Sequence, residues 1–366
     1  MSNRREFLKR LASASAGALV AHCNCGLMWA QAAENRTAVK HRPVMVGGRK
    51  IKTVDMHCHI VVPEAAGLLE GTPLAGASNL SMPVPPLGAE RLEKMDEMGI
   101  DVEAVSIVPF WYAADRDLAT RLIDLQNHKL AEMCAAYPDR FVGLGTLALQ
   151  FPDLAVRQLD AAIKLGLRGA TIGGNVEGEE LSSPKYDPFW AKAEELQALI
   201  FMHPTTSAEA TGITKRLHGN GIMSTVVGNP LETTLFLSHL IYDGVLDRFA
   251  NLKLCCAHGG GYLPSYAGRM DNGCVVFPER CKGITIKKRP AEYLKQVYVD
   301  SLVFTPEALR HLVTVMGPRH VVLGTDYPTT WMDTPVDHVF ATPELNDTDR
   351  VAILGGTACQ LLGISL

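Results

Sequence analysis

A closed (β/α)8 barrel is the fold that this 366-residue sequence predicts. Three observations carry the expectation. Short apolar runs alternate with amphipathic helix-like stretches from about residue 50 to the C-terminus, the pattern of repeated β-then-α units. Eight such runs can be placed, near 51–57, 102–108, 141–147, 168–173, 199–203, 252–257, 296–300 and 320–325, enough for one ring. Right-handed crossovers and the size of the chain favour closure over an open doubly wound sheet. No Gly-x-Gly-x-x-Gly follows the first run, which removes the main support for a dinucleotide-binding alternative.

Residues 1–32 differ in kind from the rest. Arg4-Arg5-Glu6-Phe7-Leu8-Lys9-Arg10 precedes a mildly apolar stretch, and Ala30-Gln31-Ala32 offers a small-x-small cleavage site, which together resemble a twin-arginine export signal. His22 and Asn24 interrupt the apolar stretch, so it makes a poor membrane anchor. The sequence therefore predicts a periplasmic protein, a polar and irregular segment over 33–49, and a single catalytic domain over 50–366. No stretch reads as a linker to a second domain. A 47% hydrophobic and 20% charged composition supports a large core, and a formal charge of −4 without any Lys/Arg block argues against nucleic-acid partners.

The first strand, Thr53-Val54-Asp55-Met56-His57-Cys58-His59, sets the chemistry. On a strand, side chains at i and i+2 share a face about 6.6 Å apart, so His57 and His59 can converge on one ion while Cys58 points away. By itself the pair is weak evidence. Its partners end other apolar runs: His203 the fifth, His258 the sixth and Asp326 the eighth. One histidine at a strand end is more often structural, and one aspartate before Tyr-Pro more often forms a turn. Five at equivalent strand ends reverse that balance, because parallel barrels present these ends on one rim. Three neutral imidazoles and a carboxylate suit one zinc ion with an open position, leaving His258 as a base.

The helix-like stretches include Glu90-Arg91-Leu92-Glu93-Lys94-Met95-Asp96-Glu97-Met98, with its apolar positions at helical spacing. Two loops are long. Residues 61–88 follow the first strand, and 204–228, with Thr205, His218, Asn220 and Gly221, follow the fifth; both would wall the pocket. His239, His311, His320 and His338 fall on helices or loops and read as structural. Trp331 and the Trp111-Tyr112 pair are equally consistent with the pocket and with packing. Removing Cys23 and Cys25 with the signal leaves seven cysteines. Cys58, Cys255 and Cys256 read as buried thiols, and a Cys274–Cys281 bridge is open, since spacing alone does not establish one.

The chain resembles the amidohydrolase superfamily, in the branch typified by 2-amino-3-carboxymuconate-6-semialdehyde decarboxylase. The resemblance rests on the Asp55-to-His59 strand, Phe141-Val142-Gly143-Leu144-Gly145, Phe201-Met202-His203-Pro204 and Asn229-Pro230-Leu231-Glu232-Thr233-Thr234. It continues through Ala257-to-Gly261 with Gly268-Arg269, and Leu323-Gly324-Thr325-Asp326-Tyr327-Pro328. It implies a barrel of the metal-dependent hydrolase type, with His57, His59, His203 and Asp326 as zinc ligands and His258 as the acid/base. Arg269 would be the arginine that a dimer partner inserts beside the substrate carboxylate. The fourth run ends Ala170-Thr171-Ile172-Gly173-Gly174-Asn175, without the lysine of dinuclear relatives, so the resemblance implies one metal.

Departures are also visible. No arginine lies between His59 and Glu90 to hold a second carboxylate, and Thr225 and Thr329 stand where the decarboxylase has aromatic residues. The expected function is a zinc-dependent, oxygen-independent decarboxylase of a small unsaturated or aromatic carboxylate, acting as a homodimer. A metal-dependent hydrolase of an ester, lactone, amide or carbon-carbon bond is the alternative, because the same ion and base could serve attack on a carbonyl.

Overall fold

Eight short parallel strands organise the chain in this computed structural model, which describes residues 42–77, 84–205, 217 and 222–366. β1 (Val54–His59), β2 (Val102–Ser106) and β3 (Phe141–Gly143) pair in that order. β4 (Gly169–Ile172), β5 (Leu199–Met202), β6 (Lys253–Cys256), β7 (Tyr298–Asp300) and β8 (Val321–Val322) form a second set, also in chain order. Parallel bridges join the sets at both seams, Gly145 to Ala170 and Cys58 to Tyr327. At the first seam Gly145 N–H donates to the Gly169 carbonyl at 2.9 Å; at the second Met56 N–H donates to Leu323 at 2.9 Å and His59 N–H to Tyr327 at 2.7 Å. The ring is closed, as the alternation of runs predicts.

Almost every strand residue is buried, because helices cover the outside and side chains fill the inside. The helices outside the ring include α1 (Ala89–Met98), α2 (Arg116–Ala135), α3 (Pro152–Lys164), α4 (Asp187–Glu195), α5 (Asn229–Tyr242), α6 (Ala267–Val276), α7 (Pro306–Met316) and α8 (Pro335–Ala341). Their inner faces pack on the outward side chains of the strands in one large core. A smaller core fills the barrel with Val54, Met56, Val102, Ala104, Leu199, Phe201, Cys255 and Val322. Ala358, Cys359, Leu361 and Leu362 of the C-terminal helix, Thr357–Leu362, join it. That segment abuts the entry to β1, where a Cβ on Gly355 would stand 2.0 Å from the Lys52 carbonyl. With the N-terminal end of the barrel plugged, the opposite mouth is left for chemistry.

A shift of register between Asp55 and Cys58 breaks the strict alternation of β1. Val54 and Met56 point into the lower core, yet Cys58 packs outward among the helices. The bulge thereby changes the phase of the strand, and His57 and His59 project inward above Met56. Bulges commonly re-aim side chains beside active sites in this way.

The N-terminal reading needs one correction. Residues 45–49, expected to be irregular, form with Lys50 a small hairpin of Met45–Val46 against Arg49–Lys50. Gly47 and Gly48 sit at φ 55° and 77°, the left-handed backbone that a two-residue hairpin turn requires. Cys274 and Cys281 are paired in a disulfide that ties the end of α6 to the following turn, while Cys58, Cys134, Cys255, Cys256 and Cys359 are free and buried. No helix among the described residues is long and apolar enough to cross a membrane. The expected export signal over 1–32 and the loop residues His218, Asn220 and Gly221 lie outside the described residues.

Candidate metal centre

Four strand ends deliver four donors to one place. His57 and His59 complete β1, His203 follows β5 directly, and Asp326 lies four residues beyond β8. One donor atom from each of these buried residues lies within 4.8 Å of the others. His59 Nε2 is 2.8 Å from Asp326 Oδ1, and His57 Nε2 is 3.3 Å from the same oxygen. The His57 ring centroid stands 5.1 Å from those of both His59 and His203. His258 joins the group from the turn after β6, with its ring 5.2 Å from His57 and 5.5 Å from His203.

The backbone is bent to make this convergence. Asp326 and His258 adopt φ of 60° and 58°, the left-handed region that non-glycine residues seldom occupy. Both are held there by carboxylates or carbonyls from neighbouring strands. Asp326 N–H donates to the His57 carbonyl at 2.7 Å, and Asp55 accepts from the Thr325 hydroxyl at 2.5 Å just before it. The His258 and Gly259 amides both donate to the Asp300 carboxylate at 2.8 Å.

Asp300 was not among the residues singled out in the sequence. It ends β7 and accepts four hydrogen bonds: from the His258 and Gly259 amides, from the Leu302 amide at 3.0 Å, and from His57 Nδ1 at 2.6 Å. A carboxylate can only accept from that nitrogen, so His57 keeps a proton on Nδ1, and Nε2 is the atom it presents to the centre. The available signal was its place: a lone carboxylate closing a predicted strand, Tyr298-Val299-Asp300, on the same rim as the other five.

The residues present fit a divalent cation. His57 Nε2 and His203 Nδ1 are buried without a hydrogen-bond partner among the described residues, and leaving such a group unmatched costs about 1–3 kcal/mol. Burial, with the neighbouring imidazoles, pushes His203 well below its ordinary range, and burial lowers His59 as well. Burial therefore favours the neutral form of both, the form that a metal ligand needs. His57 is different: burial opposes its charge, but Asp326 and Asp300 raise it to about 10. Burial opposes the ionised Asp326 too, yet His57 and His59 hold it well below the usual carboxylate range. Positive charge is thus favoured beside Asp326, where the unmatched nitrogens converge. Three nitrogens and one oxygen make the borderline donor set of zinc, although other divalent ions accept it.

The other sequence candidates separate. Trp111 is fully buried, with its indole N–H on the Leu147 carbonyl at 2.7 Å, and Tyr112 accepts from the Gly173 amide through its hydroxyl; both serve packing. Trp331, in the loop after β8, is 41% exposed and meets Phe304, from the loop after β7, at 5.6 Å between rings. Both loops leave the barrel on the side of the metal donors. Arg269 on α6 is exposed and has no ion-pair or hydrogen-bond partner among the described residues. Of the apolar residues around it, Leu263 and Met270 are buried in their own chain, whereas Tyr262, Tyr266, Val275, Val276 and Phe277 are exposed.

Comparison with known proteins agrees with this architecture. The sequence profile of the Amidohydrolase family matches residues 54–364. A 2-amino-3-carboxymuconate-6-semialdehyde decarboxylase of Dictyostelium discoideum is 36% identical over 278 residues, covering 75% of this chain and 76% of that protein. A gamma-resorcylate decarboxylase of Rhizobium radiobacter is 29% identical over 278 residues, covering 72% of this chain and 83% of that one. Among solved structures, a manganese-bound 5-carboxyvanillate decarboxylase from Novosphingobium aromaticivorans superposes with a TM-score of 0.76 at 24% identity, covering 88% of this chain and 100% of the other. The (β/α)8 chain with its gathered metal donors belongs to the amidohydrolase family, and is an enzyme of it.

Proposed function

We propose that this enzyme is a decarboxylase that removes carbon dioxide from a small aromatic or unsaturated carboxylate, with one divalent ion, zinc by preference, and without molecular oxygen. The observation that carries the reading is the four-donor cluster with a fifth, unpaired histidine beside it. The relatives named above act on carboxylates of this kind, and one of the similar structures holds manganese. His57, His59, His203 and Asp326 would hold the ion, which when bound supplies a Lewis acid that draws negative charge from the reacting group.

The protein's own groups define the rest. His258 Nδ1 is buried without a partner, and burial together with the nearby His57 pushes the imidazole down to about 4. His258 is therefore neutral near pH 7 and acts first as a base. It takes up a proton from solvent and delivers it to the carbon whose bond to the carboxylate breaks; the electron pair of that bond becomes the new C–H bond, and the carboxylate leaves as carbon dioxide. Asp300 holds the backbone of His258 during this exchange through its amide. At the mouth, the exposed rings of Phe304 and Trp331 offer apolar faces against which a planar substrate can stack. The hydrolase alternative uses the same base against a carbonyl. Incubation with a panel of aromatic and unsaturated carboxylates should release carbon dioxide, with no acid formed from esters or lactones; acid release without carbon dioxide would assign the hydrolase instead.

His258→Ala should retain the metal content of the wild type and lower kcat by at least about a hundredfold, the usual scale for losing a general acid/base. A parallel fall in metal content would make His258 a ligand.

Arg269, exposed without a partner beside outward-facing Tyr262 and Tyr266, suits delivery into the site of a second copy of the chain. A guanidinium can clamp a carboxylate through two hydrogen bonds, which is the role assigned to it here. Mixing inactive Arg269→Ala protein with inactive His258→Ala protein under subunit exchange should restore roughly a quarter of wild-type activity, because statistical hybrids carry one complete site. No recovery despite demonstrated exchange would confine Arg269 to its own chain.

A further inference from the structure

A buried cation stands behind the metal centre, and the reaction does not use it. Arg91, on α1, has no solvent exposure. Its Nε donates to Glu103 Oε2 at 2.6 Å, and its Nη1 donates to the main-chain carbonyl of His59 at 2.8 Å. The guanidinium carbon lies 4.9 Å from the centre of the Tyr327 ring. Nη2 is buried without a partner, as is Glu103 Oε1.

Such an arrangement is a poor device for stability alone. Taking both charges out of water is costly, and replacing a buried ion pair with apolar side chains of similar volume is often neutral or favourable. What an apolar residue could not supply is the directed contact to two particular segments. His59 is a metal donor, and Tyr327 follows the donor Asp326. These segments are already joined, since His59 N–H donates to the Tyr327 carbonyl at 2.7 Å and His59 Nε2 reaches Asp326 at 2.8 Å. They also meet at the seam where β1 and β8 are tied by an isolated bridge rather than a continuous ladder. Asp326 there occupies a strained backbone conformation, one that persists only when its surroundings over-determine it.

We propose that Arg91 is a positioning residue for the metal centre. It pins the main chain at His59 by a hydrogen bond and the Tyr327 segment by stacking, so that the β1 and β8 donors keep their spacing across the seam. Glu103 from β2 orients the guanidinium and balances its charge. The inference rests on the reading of His57, His59, His203 and Asp326 as metal ligands.

The test uses the cobalt(II) form of the full protein, read by its visible absorption and by competition with a chelator, with thermal stability measured alongside. Arg91→Met strands the Glu103 charge, so the informative variant is Arg91→Met with Glu103→Gln, which removes both charges. That double variant should melt near the wild-type temperature yet bind cobalt at least tenfold more weakly, with an altered spectrum. Arg91→Lys keeps the charge but loses the planar fork, and it should show the same weakening and spectral change if the double variant does not fold. Wild-type cobalt affinity and spectrum in the folded double variant, or in Arg91→Lys, would reduce Arg91 to a partner for Glu103 and overturn the proposal. Wild-type protein that takes up no cobalt would instead remove the metal centre, and the positioning role with it.

Discussion

The Asp300 carboxylate is the constraint on which the site depends. Three amides, those of His258, Gly259 and Leu302, and one imidazole nitrogen of His57 converge on its two oxygens, at 2.6–3.0 Å. Through them one side chain at the end of β7 ties β1 to the turn after β6. It keeps a proton on His57 Nδ1, so that Nε2 is the nitrogen that faces the centre, and it holds His258 in a conformation its own backbone disfavours. Such a buried anion would be costly if it stood alone. Burial opposes its charge, but His57 and the donated hydrogen bonds keep it ionised, below its ordinary range.

The rest of the fold supplies the rigidity that this convergence needs. The lower half of the barrel is an apolar plug capped by the C-terminal helix, and the polar groups are stacked above it. Close approach tightens the rim: a Cβ on Gly324 would stand 2.8 Å from Asp300 Cβ and 3.0 Å from His57 Cβ. Glycine at 324 is therefore what lets β8 pass close enough for Asp326 to reach the histidines. Side chains with this little freedom hold donors at fixed separations, which is the preorganisation a metal centre requires.

Much of this was legible in the sequence. Strand ends carrying His57, His59, His203 and Asp326 advertised themselves, because ligands of a barrel enzyme come from apolar runs that are easy to see. The first strand was harder to bound: Ile51 was assigned to it, but its amide pairs instead with Val44 beside the N-terminal hairpin. The bulge in β1 left no mark, since a one-residue change of phase is invisible when every residue of the strand is buried. Asp300 and Arg91 were missed for a shared reason. Each acts through another residue's backbone or ring nitrogen, and one sequence does not reveal that a carboxylate in Tyr298-Val299-Asp300 will face His57 or that a helix arginine will turn inward. The Cys274–Cys281 bridge likewise depends on how α6 ends, which seven residues of spacing do not determine.

The central claim is that one ion is held by four donors, three nitrogens and one oxygen. Elemental analysis of the protein purified without added metal measures it directly. Close to one divalent ion per chain, falling to near zero in His203→Ala because one donor of four is gone, is the result this account requires. Two firmly held ions per chain, or full activity in protein shown to be free of metal, would contradict it.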